Sequence, residues 1–426
     1  MSTTLRTAWR PLDAVVTVPG SKSIANRALV CAALADGPSE LANVPPGDDT
    51  VAMTECLGAL GVRLALEGTV VSVEGSGGVL TSGAGRLDAR LAGTTSRFVT
   101  AVAALSPRPV TLDGAPPLRR RPMAPLHDAL AALGADIRPG AESGHLPVTV
   151  TGPLVRGGEV TLAGDVSSQY LTALMLIGPL LEGGLRLALS TPLVSRPYVE
   201  LTATVMAGFG VDGVLVGDRE VAVPNGRYRG TRYAVEPDAS SASYPLGMAA
   251  VVGGRIDVAG LRPSSAQGDV RFADLLGRMG CTVVDGPDGL GVERDRHEAL
   301  VGIDVDLSEA SDLVPTLAAV AATASTATTI TGIGFIRRKE SDRLSDLAAE
   351  LNKTGARVDV LDDGLRISPS PRLHGAVLDP HDDHRLAMAF GVLGCAVSGI
   401  EVVQPGVVAK SWPEYWTVRD ALLSTP

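Results

Sequence analysis

The sequence predicts an α/β protein of two domains, built from about six copies of one strand-and-helix unit. Three observations carry this expectation: the chain length, a recurring Ala-rich stretch and a recurring Gly at the end of a helical pattern. At 426 residues the chain is longer than one hydrophobic core usually organises, so two domains are expected. Apolar, Ala-rich stretches begin near Ala28, Phe98, Tyr170, Tyr244, Leu313 and Leu386. Successive starts lie roughly 70 residues apart, and regular spacing marks a repeated supersecondary unit. The second landmark keeps the same spacing, as Leu60-Gly61-Val62, Leu133-Gly134-Ala135, Phe209-Gly210-Val211, Met279-Gly280-Cys281 and Thr354-Gly355-Ala356.

Taken in order, each copy opens with a strand and continues into the Ala-rich stretch, whose small residues suit a helix packed closely on its neighbours. Gly or Pro then breaks the helix, and a β-branched run supplies the next strand. An amphipathic helical pattern follows and stops at the landmark Gly, a residue that tolerates the left-handed backbone of a helix C-terminus. The residues after that Gly return to a strand pattern. The unit therefore mixes strands and helices throughout, as an α/β fold requires.

Composition narrows the function classes. Hydrophobic residues make up 45% of the chain but aromatic residues only 3%, which disfavours stacking on nucleic-acid bases. The formal net charge of -10 disfavours a general polyanion-binding surface while allowing a local basic pocket. No nucleic-acid partner is expected. Cys31, Cys56, Cys281 and Cys395 form no Cys-x-x-Cys pair, so neither a disulfide framework nor a thiolate metal site is suggested, and a reducing compartment fits. The polar start Met1 to Arg10 and the lack of a long apolar run lead to the expectation of a cytoplasmic protein without signal peptide or membrane span.

Polar residues concentrate where the Ala-rich helices begin. In order they are Lys22-Ser23-Ile24-Ala25-Asn26-Arg27, Gly93-Thr94-Thr95-Ser96-Arg97, Ser167-Ser168-Gln169, Ser240-Ser241, Ser311-Asp312 and Asp383-His384-Arg385. Helix N-termini leave N–H groups without intrahelical partners, so hydroxyl residues there are ordinary caps as well as ready anion seats. The cations are less ordinary. Lys22, Arg27, Arg97 and Arg385 oppose the helix dipole unless an anion sits between them and the backbone, which points to phosphate or carboxylate ligands.

Other motifs have duller readings. Gly20-Ser21-Lys22-Ser23 lacks the spacing of a nucleotide-binding P-loop, and Gly75-Ser76-Gly77-Gly78 lacks the third Gly of a dinucleotide fingerprint. His381 and His384 have no second His-rich or Cys-rich segment to complete a metal site, so no metal is expected. Arg337 and Arg338 read as a charged helix start.

These segments together resemble the 5-enolpyruvylshikimate-3-phosphate synthase family, within the enolpyruvyl transferases. The resemblance rests on Pro19-Gly20-Ser21-Lys22-Ser23, Ala92-Gly93-Thr94, Arg121-Pro122, Ser167-Ser168-Gln169, Lys339-Glu340-Ser341-Asp342-Arg343 and Asp383-His384-Arg385, running in the family's order from about residue 15 to Lys410. It implies two domains of three β-α-β-α-β-β units each, an inside-out α/β barrel arrangement with the active site in the cleft between domains. Domain one would cover 18–236 and domain two 1–17 with 237–426, with hinges at 17–20 and 236–239.

The implied reaction moves the enolpyruvyl group of phosphoenolpyruvate to the 5-hydroxyl of shikimate 3-phosphate and releases phosphate, without metal or organic cofactor. Asp312 would act as base toward the hydroxyl, Glu340 as proton donor and acceptor at carbon, and Lys22 beside the bridging oxygen. Phosphoenolpyruvate would be held by Lys22, Gly93, Arg121, Gln169, Arg343, Arg385 and Lys410. Shikimate 3-phosphate would be held by Lys22, Ser23, Arg27, Ser167, Ser168, Gln169, Ser195, Asp312 and Lys339. The Gly93 turn would also lie against the inhibitor glyphosate. Leu91 and Phe335 stand where relatives often carry polar residues. The enzyme would work as a monomer on these small molecules alone. Two alternatives share the pattern. The sister transferase acting on UDP-N-acetylglucosamine is opposed by Ser23 and by the Cys-free segment Leu118 to Pro125. A metabolite-binding protein without catalysis would leave Asp312 and Glu340 only capping and pairing roles.

Overall fold

The computed structural model describes residues 2–81, 85–370 and 372–424. The chain divides into two compact units, one of Gly20–Val235 and the other of Met1–Pro19 with Glu236–Pro426. Each unit has its own hydrophobic core.

The α/β expectation holds, and among the described residues the repeat is visible as six sheets. In the Gly20–Val235 unit, Gly85–Asp88 runs parallel to Val110–Asp113, in the register Gly85 to Val110 and Asp88 to Asp113. Val110–Asp113 then pairs antiparallel with Val148–Thr151, which pairs with Asp136–Pro139. The helix Gly93–Ala103 connects the two parallel strands, as a parallel crossover requires. Four other sheets repeat this order of one parallel and two antiparallel pairings.

Each unit pairs strands from distant parts of the sequence. Arg232–Ala234, at the end of its unit, lies parallel to Pro38–Ala42 at the beginning. Leu12–Val16 joins Gly254–Ala259 in the register Leu12 to Gly254. The sixth copy departs from the pattern: Ser2–Thr4 pairs antiparallel with Glu401–Val403, itself parallel to Val377–Leu378, and the copy ends in the helix Tyr415–Ser424 rather than a hairpin.

The Ala-rich stretches are the inner helices Lys22–Leu34, Gly93–Ala103, Ser168–Ile177, Ala239–Val252, Val314–Ala321 and His384–Ala396, buried on nearly every side. Their small residues are what permit the packing. A Cβ on Gly247 would lie 3.2–3.3 Å from Thr316, Val320 and Val392, side chains of the two neighbouring inner helices. The landmark glycines all take the left-handed backbone, with φ of +97° at Gly61, +105° at Gly134, +84° at Gly210, +104° at Gly280 and +81° at Gly355. In four copies the next residue's N–H reaches back to a helix carbonyl, as Val62 does to Leu57 and Ala135 to Leu130, closing the helix end.

Candidate active site

Four of the six inner helices begin with a side-chain cap, though the capping residue is not always the expected one. Ser21 Oγ accepts from Ile24 N, Ser167 Oγ from Gln169 N and Asp383 from Arg385 N. Asp238 caps the fourth helix by accepting from Ser241 N at 2.7 Å. Ser240 and Ser241 therefore lie inside the first turn. Asp312 sits on a 3-10 turn, Ser311–Leu313, that leads into the fifth inner helix.

In the Gly20–Val235 unit, Lys22 opens its helix and its Nζ lies 2.9 Å from Asp49 Oδ2. Asp49 was not singled out in the sequence because an acidic residue in a first helical turn is commonplace. Arg27 is 3% exposed and donates to Thr202 Oγ1, Ser23 O, Thr172 Oγ1 and Tyr198 O. Burial lowers its guanidinium to about 10. Arg27 is thus tied into the frame that carries Ser23. Gly93 opens its helix with an ordinary φ, and Arg97 folds back to donate to Gly93 O at 3.0 Å and to Pro122 O at 3.1 Å. Arg121 comes close as well: a Cβ on Gly93 would lie 2.6 Å from its Nη1. Gly93, Arg97, Arg121 and Pro122 form one cluster, and Tyr170 Oη joins it by donating to Pro122 O. Gln169 is half-buried and Ser168 buried at the next helix start. Ser195 is buried, with φ +55°, at the position just before the helix Arg196–Gly208. Leu91 is exposed beside Ala92.

The other unit holds a denser charge network. Arg343 is 1% exposed and meets three carboxylates: its Nη1 is 2.9 Å from Asp312, its Nη2 2.8 Å from Glu340 and its Nε 2.7 Å from Asp383. Arg385 Nη2 lies 2.7 Å from the second oxygen of Asp312, and Lys410 Nζ lies 2.9 Å from Glu340. The six residues therefore form one connected chain of ion pairs, drawn from four separate segments of sequence. Burial pushes the Asp312 carboxyl up, but the charges of Arg385, Lys339 and Arg343 outweigh it and hold Asp312 well below the usual carboxylate range. Burial works against the Arg343 charge too, and Asp383, Glu340 and Asp312 more than offset it. Lys339 Nζ sits 5.9 Å from the ring of Phe335, which packs on the core. Arg337, in contrast, pairs with Asp342 and Ser345, in keeping with a role in starting the next helix.

Two further groups border this network and were not legible beforehand. Asp269 is buried, accepts from Ser240 Oγ, and is raised to about 6 by burial and by the charge of Asp312. Tyr244 is pushed up to about 12 by burial, against the pull of Arg385. Asp383 holds the network to the helix His384–Ala396. Of the two histidines considered as metal ligands, His384 is buried at that helix start and His381 lies 3.0 Å from Glu350.

Chemically, the first cluster presents cations beside a helix N-terminus that can accept an anion. The second presents two partly exposed carboxylates, Asp312 and Glu340, already bonded to cations able to bind one. Comparison with known proteins gives this chemistry a family. The model of EPSP synthase (3-phosphoshikimate 1-carboxyvinyltransferase) matches residues 7–418. The 3-phosphoshikimate 1-carboxyvinyltransferase of Methanoculleus marisnigri is 45% identical over 95% of this chain and 96% of its own. That of Trichormus variabilis is 40% identical over 96% of each. The structure of EPSP synthase from Acinetobacter baumannii superposes with a TM-score of 0.83 at 25% identity, covering 99% of this chain and 97% of that one. The chain belongs to the EPSP synthase family.

Proposed function

We propose that this protein transfers the enolpyruvyl group of phosphoenolpyruvate to the 5-hydroxyl of shikimate 3-phosphate, releasing phosphate, as a step of aromatic biosynthesis in the cytoplasm. The observation that carries this reading is the ion-pair chain just described, in a sequence matched to the family from residue 7 to 418. Its cations suit the carboxylate and phosphate of phosphoenolpyruvate, and its carboxylates suit proton transfer.

Arg343, Arg385 and Lys410 are paired with Asp312, Glu340 and Asp383. A bound anion would share those cations and so weaken their hold on the carboxylates. Both carboxylates would then bind a proton more readily, as general acid–base chemistry requires. Asp312 would take the proton of the 5-hydroxyl as its oxygen attacks the enol carbon. Glu340 would protonate the methylene and, in the elimination, recover that proton as phosphate departs. Lys22 would stabilise charge on the bridging oxygen.

The phosphoenolpyruvate site would combine Lys22, Gly93, Arg121 and Gln169 of one unit with Arg343, Arg385 and Lys410 of the other. Shikimate 3-phosphate would be read by Lys22, Ser23, Arg27, Ser167, Ser168, Gln169 and Ser195 with Asp312 and Lys339. On this reading the two units close around the substrates through segments 17–20 and 236–239, and a monomer suffices.

The test is a phosphate-release assay on the wild-type protein and on Asp312→Asn and Glu340→Gln. Phosphate is expected only when both substrates are present, with chelator having no effect, and kcat is expected to fall at least about 100-fold in each variant. Turnover with UDP-N-acetylglucosamine would overturn the substrate assignment. Near-normal kcat in both variants would overturn the assigned roles.

A further inference from the structure

The residues just before the anion-binding helix start form a turn that the transfer reaction does not itself require. Asp383 N donates to Pro380 O at 2.8 Å, and the two residues between them, His381 and Asp382, have φ of +52° and +59°. Two positive φ values inside such a hydrogen bond are the mark of a type I′ turn, which ordinarily takes Asn-Gly. Here neither position is glycine, so the backbone is strained and must be held by its surroundings.

The holding group is Glu350, 2% exposed, on the helix Ser345–Asn352. One of its oxygens accepts from Asp379 N at 2.9 Å and the other lies 3.0 Å from His381 Nε2, so a single carboxylate grips the turn from both sides. Lys353 Nζ, 2.7 Å from each oxygen, fixes that carboxylate in place. Asp379 Oδ1 also accepts from His381 N at 2.8 Å. Immediately after the turn come Asp383, which binds Arg343, and Arg385, which binds Asp312.

We infer that His381 and Glu350 are positioning residues for the phosphoenolpyruvate clamp, setting the place of Arg343 and Arg385 through the strained turn. The inference rests on the transfer reaction proposed above. His381 is not among the residues assigned to either substrate and lies outside the ion-pair chain; it acts through the backbone between Pro380 and Asp383.

The experiment compares His381→Ala, His381→Gln and His381→Ala/Asp382→Gly in the full-length enzyme, measuring KM for each substrate, kcat and Tm. Gln can place its amide nitrogen near the position of the histidine Nε2. His381→Ala should raise KM for phosphoenolpyruvate about 10-fold, the loss of one charged hydrogen bond, while KM for shikimate 3-phosphate stays within about 2-fold. His381→Gln should return most of that loss. Adding Asp382→Gly should also recover part of it, since glycine takes a positive φ without strain. The inference falls if His381→Ala matches the wild type, if Gln rescues nothing, or if both KM values and Tm worsen together as in general destabilisation. Absence of turnover in the wild type would overturn the transfer reading and this inference with it, whereas normal wild-type turnover with an unaffected His381→Ala would overturn this inference alone.

Discussion

At the level of single residues, Gly93 illustrates how a position acquires its meaning from its neighbours. Its φ is ordinary, so the backbone does not demand glycine there. Space does: a Cβ would lie 2.6 Å from Arg121 Nη1 and 3.0 Å from Arg97 Nη1. Both obstacles are the far ends of long side chains, which can move aside where backbone could not. Gly93→Ala is therefore expected to fold with a Tm close to the wild type while displacing Arg121. KM for phosphoenolpyruvate should rise several-fold, as when one charged contact weakens by about 1–2 kcal/mol, and glyphosate inhibition should weaken at least as much. A large fall in Tm with an unchanged KM would instead make Gly93 a purely structural residue.

At the level of elements, the helix Ala124–Ala132 carries a buried histidine that its surroundings keep neutral. His127 is 5% exposed, and its Nε2 has no hydrogen-bond partner among the described residues. Burial, with the charges of Arg97 and His145, lowers it to about 4 from an ordinary 6.5. The unfolded chain then binds more protons than the folded one between those values, so stability is lost as pH falls from 6.5 toward 4. That loss should approach roughly 3 kcal/mol at the acid end. His127→Leu removes the titration. Its Tm should fall less than that of the wild type between pH 6.5 and 4, measured as the difference between the two profiles because the ion pairs elsewhere lose strength in both. Parallel profiles would show that His127 titrates normally.

For the whole molecule, the proposed transfer draws on both compact units of the chain. On the proposed assignment, residues from both units serve each substrate. Shikimate 3-phosphate together with glyphosate, as a stand-in for phosphoenolpyruvate, is accordingly expected to reduce the radius of gyration measured by small-angle scattering. Identical scattering with and without saturating ligands would reject closure.

Much of this was legible in the sequence because it is governed by local physics. Period, helix ends and small-residue packing depend on neighbours in the chain, so Gly61, Gly134, Gly210, Gly280 and Gly355 could be read directly, and each has the left-handed backbone expected of it. The segments around Lys22, Gly93, Ser167, Glu340 and Asp383 identified the family because their order along the chain is itself the signal. Tertiary structure alone decided which charges meet. Glu350 and Asp379 are unremarkable acids in sequence, as are Asp49 and Asp269. Their roles come from contacts spanning 29 residues from Glu350 to Asp379 and 27 from Lys22 to Asp49. Electrostatic pairing depends on distance through space and on exclusion of water, and neither is encoded in the spacing of residues along a chain.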